Sequence, residues 1–153
     1  MSCAHITPSN AMVQANLLLV DDETAFCMDL QKQLQAMGLC LRAATCCREA
    51  LRLLAAQDVD VVIMDMQMPE IDGIQCLRQV KQYWPEVEVI LLTGHASVQS
   101  GIEGMESGAF DYCLKPIDVR ELLDKVEWAA QKALINKENK TTDQDRGVAG
   151  QEE

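Results

Sequence analysis

The chain has 153 residues, of which 13 are Lys or Arg and 24 are Asp or Glu, so its formal net charge at pH 7 is -11. This length suits one globular domain, and the acidic balance argues against nucleic acid or an anionic membrane as a partner, since both require a basic face. The short apolar runs exclude a membrane-spanning segment, and residues 1–16 lack the features of a secretory signal. We therefore expect a cytoplasmic protein without membrane insertion.

Short apolar runs alternate along the chain with stretches of helical spacing. The runs predict strands over residues 16–20, 39–43, 59–65, 87–93 and 109–114. Apolar residues three or four positions apart predict helices between the strands, and a last helix begins near Asp118. Gly38 and Gly108 are predicted helix ends. This alternation is typical of an α/β fold.

The predicted architecture is a doubly wound (βα)5 parallel sheet of the flavodoxin-like type, with strand order 2-1-3-4-5. We expect a flexible N-terminal arm over residues 1–15 and a globular domain over residues 16–135. Residues 136–153 are polar and have no apolar period, which predicts a frayed helix end followed by a disordered tail.

The seven cysteines are scattered, odd in number and without a C-x-x-C pair. Such a pattern is more typical of reduced thiols that fill apolar space than of a metal site or a disulfide framework. The adjacent Cys46 and Cys47 are a candidate redox element, but packing at the start of a helix is the favoured interpretation. We predict neither a zinc site nor a disulfide.

Polar residues follow four of the predicted strands. Asp21 and Asp22 follow the first strand, Asp65 ends the third, Thr93 ends the fourth and Lys115 follows the fifth. Because the carboxyl ends of parallel strands share one edge, where such folds bind ligands, we expect these side chains to converge. Each residue alone is typical of a turn or helix cap, but the set indicates a binding site.

Three neighbouring carboxylates repel one another and need a compensating cation unless they are protonated. Oxygen ligands without Cys or His favour Mg²⁺, which commonly leaves coordination positions for phosphate oxygens. Lys115 can pair with phosphate, Thr93 can donate a hydrogen bond to it, and a carboxylate is a competent phosphoryl acceptor. Asp65 is the predicted acceptor because its strand is central in the proposed order.

The segments LLLVDDE, VVIMDMQMPEIDG, VILLTGHAS and GAFDYCLKP together resemble the receiver domain of two-component response regulators, over residues 16–134. The resemblance implies a stand-alone, single-domain protein that a histidine kinase or histidine phosphotransfer protein phosphorylates on an aspartate. The implied roles are as follows: phosphorylation at Asp65; Mg²⁺ binding by Asp21 (through water), Asp22, Asp65 and the backbone carbonyl of Gln67; phosphoryl contacts by Thr93 and Lys115.

The resemblance also assigns finer roles. Tyr112 with Thr93 resembles the switch pair of the family, although packing of Tyr112 on helix 4 is an equally simple interpretation. Gln67 and His95 resemble positions that tune the lifetime of the phosphorylated state, although a solvent-facing His95 without a role is an equally good interpretation. The Lys115-Pro116 bond resembles one that is cis in this family. In helix 4, Gly101 and Gly104 indicate either a soft helix or close packing against a neighbour.

The expected output is contact with an unknown protein through the face of helix 4, strand 5 and helix 5, or onward phosphotransfer. The length leaves no room for an output domain, and we expect no nucleic acid partner. We expect self-phosphorylation and autodephosphorylation only, hence no enzymatic turnover. The alternative is a receiver-like interaction module that is never phosphorylated. A D-x-D phosphatase is disfavoured because Gln67 occupies the position of its general acid, and a flavin module because the acidic loop after strand 1 would repel phosphate.

Overall fold

The structure is a computed structural model, which describes residues 15–68, 71–94 and 98–151. Its strands and helices alternate along the chain. The strands are β1 (Asn16–Val20), β2 (Cys40–Ala44), β3 (Val61–Asp65), β4 (Glu88–Thr93) and β5 (Asp111–Leu114), and the helices are α1 (Thr24–Ala36), α2 (Cys47–Ala56), α3 (Gly73–Tyr83), α4 (Val98–Glu106) and α5 (Val119–Gln151). The predicted strands are confirmed, with small shifts at their ends.

The five strands form one parallel sheet in the order β2-β1-β3-β4-β5, which confirms the predicted flavodoxin-like fold. Residues Val61–Asp65 of β3 are all buried, as are residues Glu88–Thr93 of β4. Helices on both faces of a parallel sheet cause this burial and favour continuous apolar runs in the strands. The strand order reverses between β1 and β3, so the crevice for a ligand opens beyond the carboxyl ends of these strands.

Two apolar layers flank the sheet, because successive side chains of a strand point to opposite faces. Leu17 and Leu19 of β1 pack with buried residues of α1 and α5. Leu18 and Val20 pack on the other side, with buried residues of α2 and α3. The helices predicted from their apolar spacing therefore bury the faces that this spacing indicated. Gly38 and Gly108 have φ values of 88° and 105°, which confirms both as helix ends.

Helix α5 is longer than predicted, since it runs to Gln151. The structure describes residues 136–151 as part of this helix, and the predicted domain bounds stay a prediction. Polar contacts hold the first part of the extension: Lys137 Nζ lies 2.6 Å from Asp60 Oδ1, and the Asn136 side-chain amide donates to Glu88 Oε2 at 2.7 Å. Apolar periodicity does not predict such polar contacts. The predicted arm lies outside the described residues, apart from Ala15, which is buried.

The absence of disulfides is a second prediction that the structure corrects. Cys47 at the start of α2 is bonded to Cys76 in α3, with their Cα atoms 5.9 Å apart. Both helices cover the same face of the sheet, which brings together residues 29 positions apart in the sequence. Cysteine spacing alone does not reveal such a pair. Among the described residues, no helix combines the length and apolar character that a membrane span needs.

Candidate functional site

Three carboxylates meet at the carboxyl edge of the sheet. Asp21, Asp22 and Asp65 each offer one oxygen, and these three oxygens lie within 4.8 Å of one another. Asp21 is fully buried and Asp65 is 4% exposed, whereas Asp22 is exposed. The predicted convergence of these residues is therefore confirmed, and the cluster opens to solvent on the side of Asp22.

The two buried carboxylates are held by the same local geometry. Asp21 Oδ1 accepts a hydrogen bond from the Glu23 amide at 2.9 Å, and Asp65 Oδ1 accepts one from the Gln67 amide at 3.1 Å. Aspartate commonly makes this bond to the residue two positions on where a chain turns out of a strand. The bonds orient both carboxylates and leave their second oxygens, Oδ2, for other partners.

Lys115 contacts both of these second oxygens. Its Nζ atom lies 3.0 Å from Asp21 Oδ2 and 3.5 Å from Asp65 Oδ2, and 4.3 Å from the centroid of the Phe26 ring. The Lys115-Pro116 peptide bond is cis, as the resemblance implied. Phe26 is a site residue that the motifs did not indicate. The one feature of the sequence that could have indicated Phe26 is its position in the first turn of α1, directly after the acidic loop that follows β1.

Opposing influences act on the charges of this cluster. Burial raises the pKa of Asp65, and the charge of Asp21 raises it further. The hydrogen bond from the Gln67 amide and the contact with Lys115 act to lower this pKa, but the net shift is upward. Burial acts to lower the pKa of Lys115, but its hydrogen bond to Asp21 and the charges of Asp21 and Asp65 outweigh this and raise the pKa. One ammonium group faces three carboxylates, which leaves an excess of two negative charges.

The donor set fits a hard divalent cation. It consists of carboxylate oxygens with net negative charge, and one of the three residues is open to solvent. Mg²⁺ prefers such oxygen ligands and keeps several waters. The neighbouring Cys27 thiol is buried, and burial together with the charge of Asp21 raises its pKa to about 11. This thiol donates to the backbone oxygen of Asp21 at 3.3 Å.

Two further predicted site residues, Thr93 and Gln67, lie at the same edge of the sheet. Thr93 is buried at the end of β4 and pairs with Leu114 of β5, and its backbone oxygen accepts a bond from the Lys115 amide at 2.8 Å. Gln67 is exposed beside Asp65. His95 lies outside the described residues, so its role stays a prediction.

Tyr112 in β5 lies against α4. A Cβ atom at Gly101 would lie 3.4 Å from the Tyr112 ring, and a Cβ atom at Gly104 would lie 2.7 Å from Leu91 Cδ1. The second distance is shorter than a side chain tolerates without movement of its neighbour. Close packing therefore accounts for Gly104, whereas a Cβ atom at Gly101 would make an ordinary van der Waals contact, and softness of this helix stays untested. Tyr112 is 40% exposed, so its ring also forms part of the surface.

Comparison with known protein families identifies the family of this chain. The family model of the response regulator receiver domain matches residues 17–127. The chain belongs to this family. The predicted resemblance is thereby confirmed, and the site described above is a feature of a receiver domain.

Curated relatives of this receiver domain are longer proteins. Transcriptional regulatory protein ZraR of Klebsiella oxytoca is 34% identical over 123 residues, which are 80% of this chain and 27% of the relative. Regulatory protein AtoC of Escherichia coli strain K12 is 38% identical over 122 residues, which are 80% of this chain and 26% of the relative. The receiver domain thus spans about a quarter of the length of these relatives.

Solved structures of receiver domains are also similar. A response regulator receiver domain protein from Clostridium thermocellum superposes with a TM-score of 0.74 at 32% identity, covering 79% of this chain and 98% of that one. The beryllofluoride-activated NtrC4 receiver domain dimer gives a TM-score of 0.73 at 29% identity, covering 77% and 98%. The described fold therefore agrees with solved structures of the family.

Proposed function

We propose that this receiver domain is the phosphoacceptor of a two-component phosphorelay. In this function, Asp65 accepts a phosphoryl group from a histidine kinase or histidine phosphotransfer protein in a Mg²⁺-dependent reaction. The observation that carries the proposal is the cluster of Asp21, Asp22 and Asp65, whose oxygens lie within 4.8 Å of one another. Lys115 contacts two of these carboxylates and supplies too little positive charge to neutralise the cluster.

The residues that would hold Mg²⁺ are Asp22, Asp65 and the backbone carbonyl of Gln67, with Asp21 acting through water. The bound ion would supply positive charge that neutralises the carboxylates and the oxygens of an incoming phosphoryl group. Asp65 is the nucleophile: a bond forms from its carboxylate oxygen to phosphorus while the bond from phosphorus to the donor histidine nitrogen breaks. Asp65 is positioned for this by the bond from the Gln67 amide at 3.1 Å.

Lys115 and Thr93 are the proposed contacts to the transferred group. Lys115 Nζ already lies within 3.5 Å of Asp65 Oδ2, so a small movement brings it to an oxygen of a phosphoryl group on Asp65. Thr93 would donate its hydroxyl proton in a hydrogen bond to a second oxygen. Gln67 and His95 are proposed to tune the lifetime of the aspartyl phosphate, because in the sequence each lies two positions after a site residue, Asp65 or Thr93.

The output is proposed to pass through Tyr112. Movement of the Thr93 hydroxyl toward a phosphoryl group opens space into which the Tyr112 ring can turn, and this changes the face formed by α4, β5 and α5. Three further large apolar side chains are exposed on α4 and β5: Ile102 at 53%, Met105 at 46% and Leu114 at 47%. Clustered exposed apolar side chains are typical of protein contact surfaces. The proposed output is binding of a downstream protein to this face. The alternative output is onward transfer of the phosphoryl group from Asp65.

The phosphodonor is proposed to approach beside Lys115. A cleft of about 560 Å³ opens there between α1 and the turn after β5, and its lining includes Phe26, Gln33 and Ile117. We place the domain in the cytoplasm. It modifies itself without turnover of a separate substrate, and its net charge of -11 disfavours nucleic acid as a direct partner of this segment.

The decisive experiment is intact-mass measurement after incubation with acetyl phosphate and Mg²⁺. Wild type should gain one phosphoryl group that hydroxylamine removes, and EDTA should prevent the gain. Asp65→Asn should gain none, whereas the control Asp58→Asn, changed at the opposite edge of the sheet, should behave as wild type. A wild type that takes up no phosphoryl group and binds no beryllofluoride would favour the non-phosphorylated interaction module.

A further inference from the structure

We infer that Cys47 and Cys76 form a reversible thiol-disulfide switch that tunes the phosphoacceptor site through the N-terminal turn of α3. The inference rests on the proposed function, since it concerns the regulation of Asp65. It assigns to this pair a role in redox control in addition to packing. The partner it requires is a dithiol reductant, with a disulfide oxidant for the reverse direction.

The bond links the first residue of α2 to the first turns of α3. Cys47 is 3% exposed and Cys76 is fully buried, within the apolar layer that α2 and α3 form on the sheet. Receiver domains act with intracellular partners under the proposed function, and disulfides in reducing compartments are mostly transient or redox-sensing. A covalent link at this place is therefore better explained as a switch than as a permanent cross-link.

The start of α2 is the route by which a reductant would reach the buried bond. Cys46 is the N-cap of α2 and makes no side-chain cap bond to the helix. A helix terminus without this bond frays more readily. The Thr45 amide and hydroxyl bond to Glu49, but both of these contacts are exposed to water. Opening of this first turn would expose Cys47 Sγ without unfolding the sheet.

The other end of the link lies against the acceptor loop. Gly73, the first residue of α3, precedes Cys76 by three residues, and its amide donates to the Met66 backbone oxygen at 2.9 Å. A Cβ atom at Gly73 would collide with the Asp65 backbone oxygen and lie 2.6 Å from Met66 Cα. The N-terminal turn of α3 therefore touches the backbone of the acceptor itself. Any shift of this turn moves the segment that carries Asp65 and Gln67.

The switching reaction is a two-electron exchange. A thiolate of the reductant attacks one sulfur of the Cys47-Cys76 bond, and the second thiol of the reductant resolves the mixed disulfide. The products are two protein thiols and an oxidised dithiol. Oxidation by a small disulfide runs the same steps in reverse. In the reduced state the first turn of α3 is no longer tied to α2, so the acceptor loop is held less firmly.

The test begins with the bond itself. Native protein is equilibrated with dithiothreitol, quenched in acid, and its thiols are alkylated in denaturant and counted by mass. The expected result is loss of the Cys47-Cys76 bond under native conditions and its return with oxidised glutathione. A bond that breaks only after urea is added would overturn the proposal, because it would then be a permanent cross-link.

The second measurement is the rate of phosphoryl uptake from acetyl phosphate in each redox state. Reduction should slow the uptake by about threefold or more, since a loosened acceptor is less well aligned for attack. Cys46→Ala, which keeps the bond, should respond as wild type. Cys76→Ala should show one rate in both buffers. Equal rates for oxidised and reduced wild type would refute the switch.

A readout without phosphorylation separates this inference from the proposed function. The amide resonances of Gln67 and Gly73 should shift between the oxidised and reduced wild type but not in Cys76→Ala. If neither redox state takes up phosphoryl groups, the proposed function fails, and these resonances still decide whether the disulfide acts on the acceptor loop. Unchanged resonances would exclude such an effect.

Discussion

The two edges of the sheet carry acidic clusters that differ in how their charge is balanced. At the carboxyl edge, Asp21, Asp22 and Asp65 face the single ammonium group of Lys115. At the amino edge, four acidic residues pair with four lysines among the described residues. These are Asp58, Asp60, Glu86 and Glu88 with Lys81, Lys132, Lys137 and Lys140. One edge retains negative charge, and the other is neutral.

This difference separates a binding site from a structural contact. Buried carboxylates such as Asp60 and Glu88 at the amino edge are tolerated because α5 supplies ammonium and amide groups. Asp21 and Asp65 are equally buried, but the single ammonium group of Lys115 balances their charge only in part. An acidic cluster in a receiver domain therefore has to be assessed by its uncompensated charge as well as by its number of carboxylates.

The largest expected effect is a loss of stability at the amino edge, where the acidic residues are paired with lysines. Lys137→Met should lower the free energy of unfolding by about 2 to 3 kcal/mol, because it leaves the buried Asp60 carboxylate with the Asn16 amide but without an ammonium partner. Lys132→Met is the matched control on the same helix: its side chain is 58% exposed, and its loss should cost at most about 1 kcal/mol. Urea unfolding followed by circular dichroism measures both. Equal losses would show that the burial of Asp60 does not decide the stability of this edge.

Metal affinity should respond only at the unbalanced edge. Asp22→Asn should weaken Mg²⁺ binding by about tenfold or more, a change of about 1.4 kcal/mol or more in binding free energy. Asp58→Asn removes the same charge at the amino edge and should leave the affinity unchanged. Isothermal titration of both variants gives the two constants. A similar loss in Asp58→Asn would mean that overall charge, rather than the cluster, attracts the ion.

Neutralising one buried aspartate at each edge should have opposite effects on metal-free stability. The pKa of Asp65 is raised by burial and by Asp21, so its protonated form stabilises the fold below its unfolded pKa, and this contribution is lost as pH rises through the folded pKa. Asp65→Asn mimics the protonated group and should raise the urea midpoint of unfolding at pH 7. Asp60→Asn should instead lower stability, because Lys137 loses a charged partner. Loss of stability in both variants would contradict the difference between the edges.

The smallest effect concerns the thiol beside the unbalanced edge. Burial and Asp21 raise the pKa of Cys27 from 9.0 to about 11. The contribution of this neutral thiol to stability is therefore complete below pH 9.0 and is lost as pH rises toward 11. Cys27→Ala should show a shallower decline of the urea midpoint over this range than wild type. Only the change of the midpoint with pH is compared, not the stability of each protein at one pH. Parallel declines in the two proteins would show that Cys27 does not contribute to the pH dependence of stability.

Much of the fold and of the site could be predicted because its signals are local. Buried parallel strands appear as apolar runs, and the polar residue after each run lies at the carboxyl edge once the strands are parallel. Asp21, Asp65, Thr93 and Lys115 could therefore be brought to one edge before any distance was known. Phe26 could not be assigned in this way, since its place under the Lys115 ammonium depends on how α1 packs on the sheet.

The sequence by itself determined the parallel sheet, its strand order, the acidic cluster at the strand ends and the receiver family, because each is encoded by periodicity or by short motifs. Only the tertiary structure decided the contact of Lys137 with Asp60 and the bond between Cys47 and Cys76, which join residues 77 and 29 positions apart. Polar and covalent contacts over such separations follow from how helices pack on the sheet, and no local pattern in the chain records them.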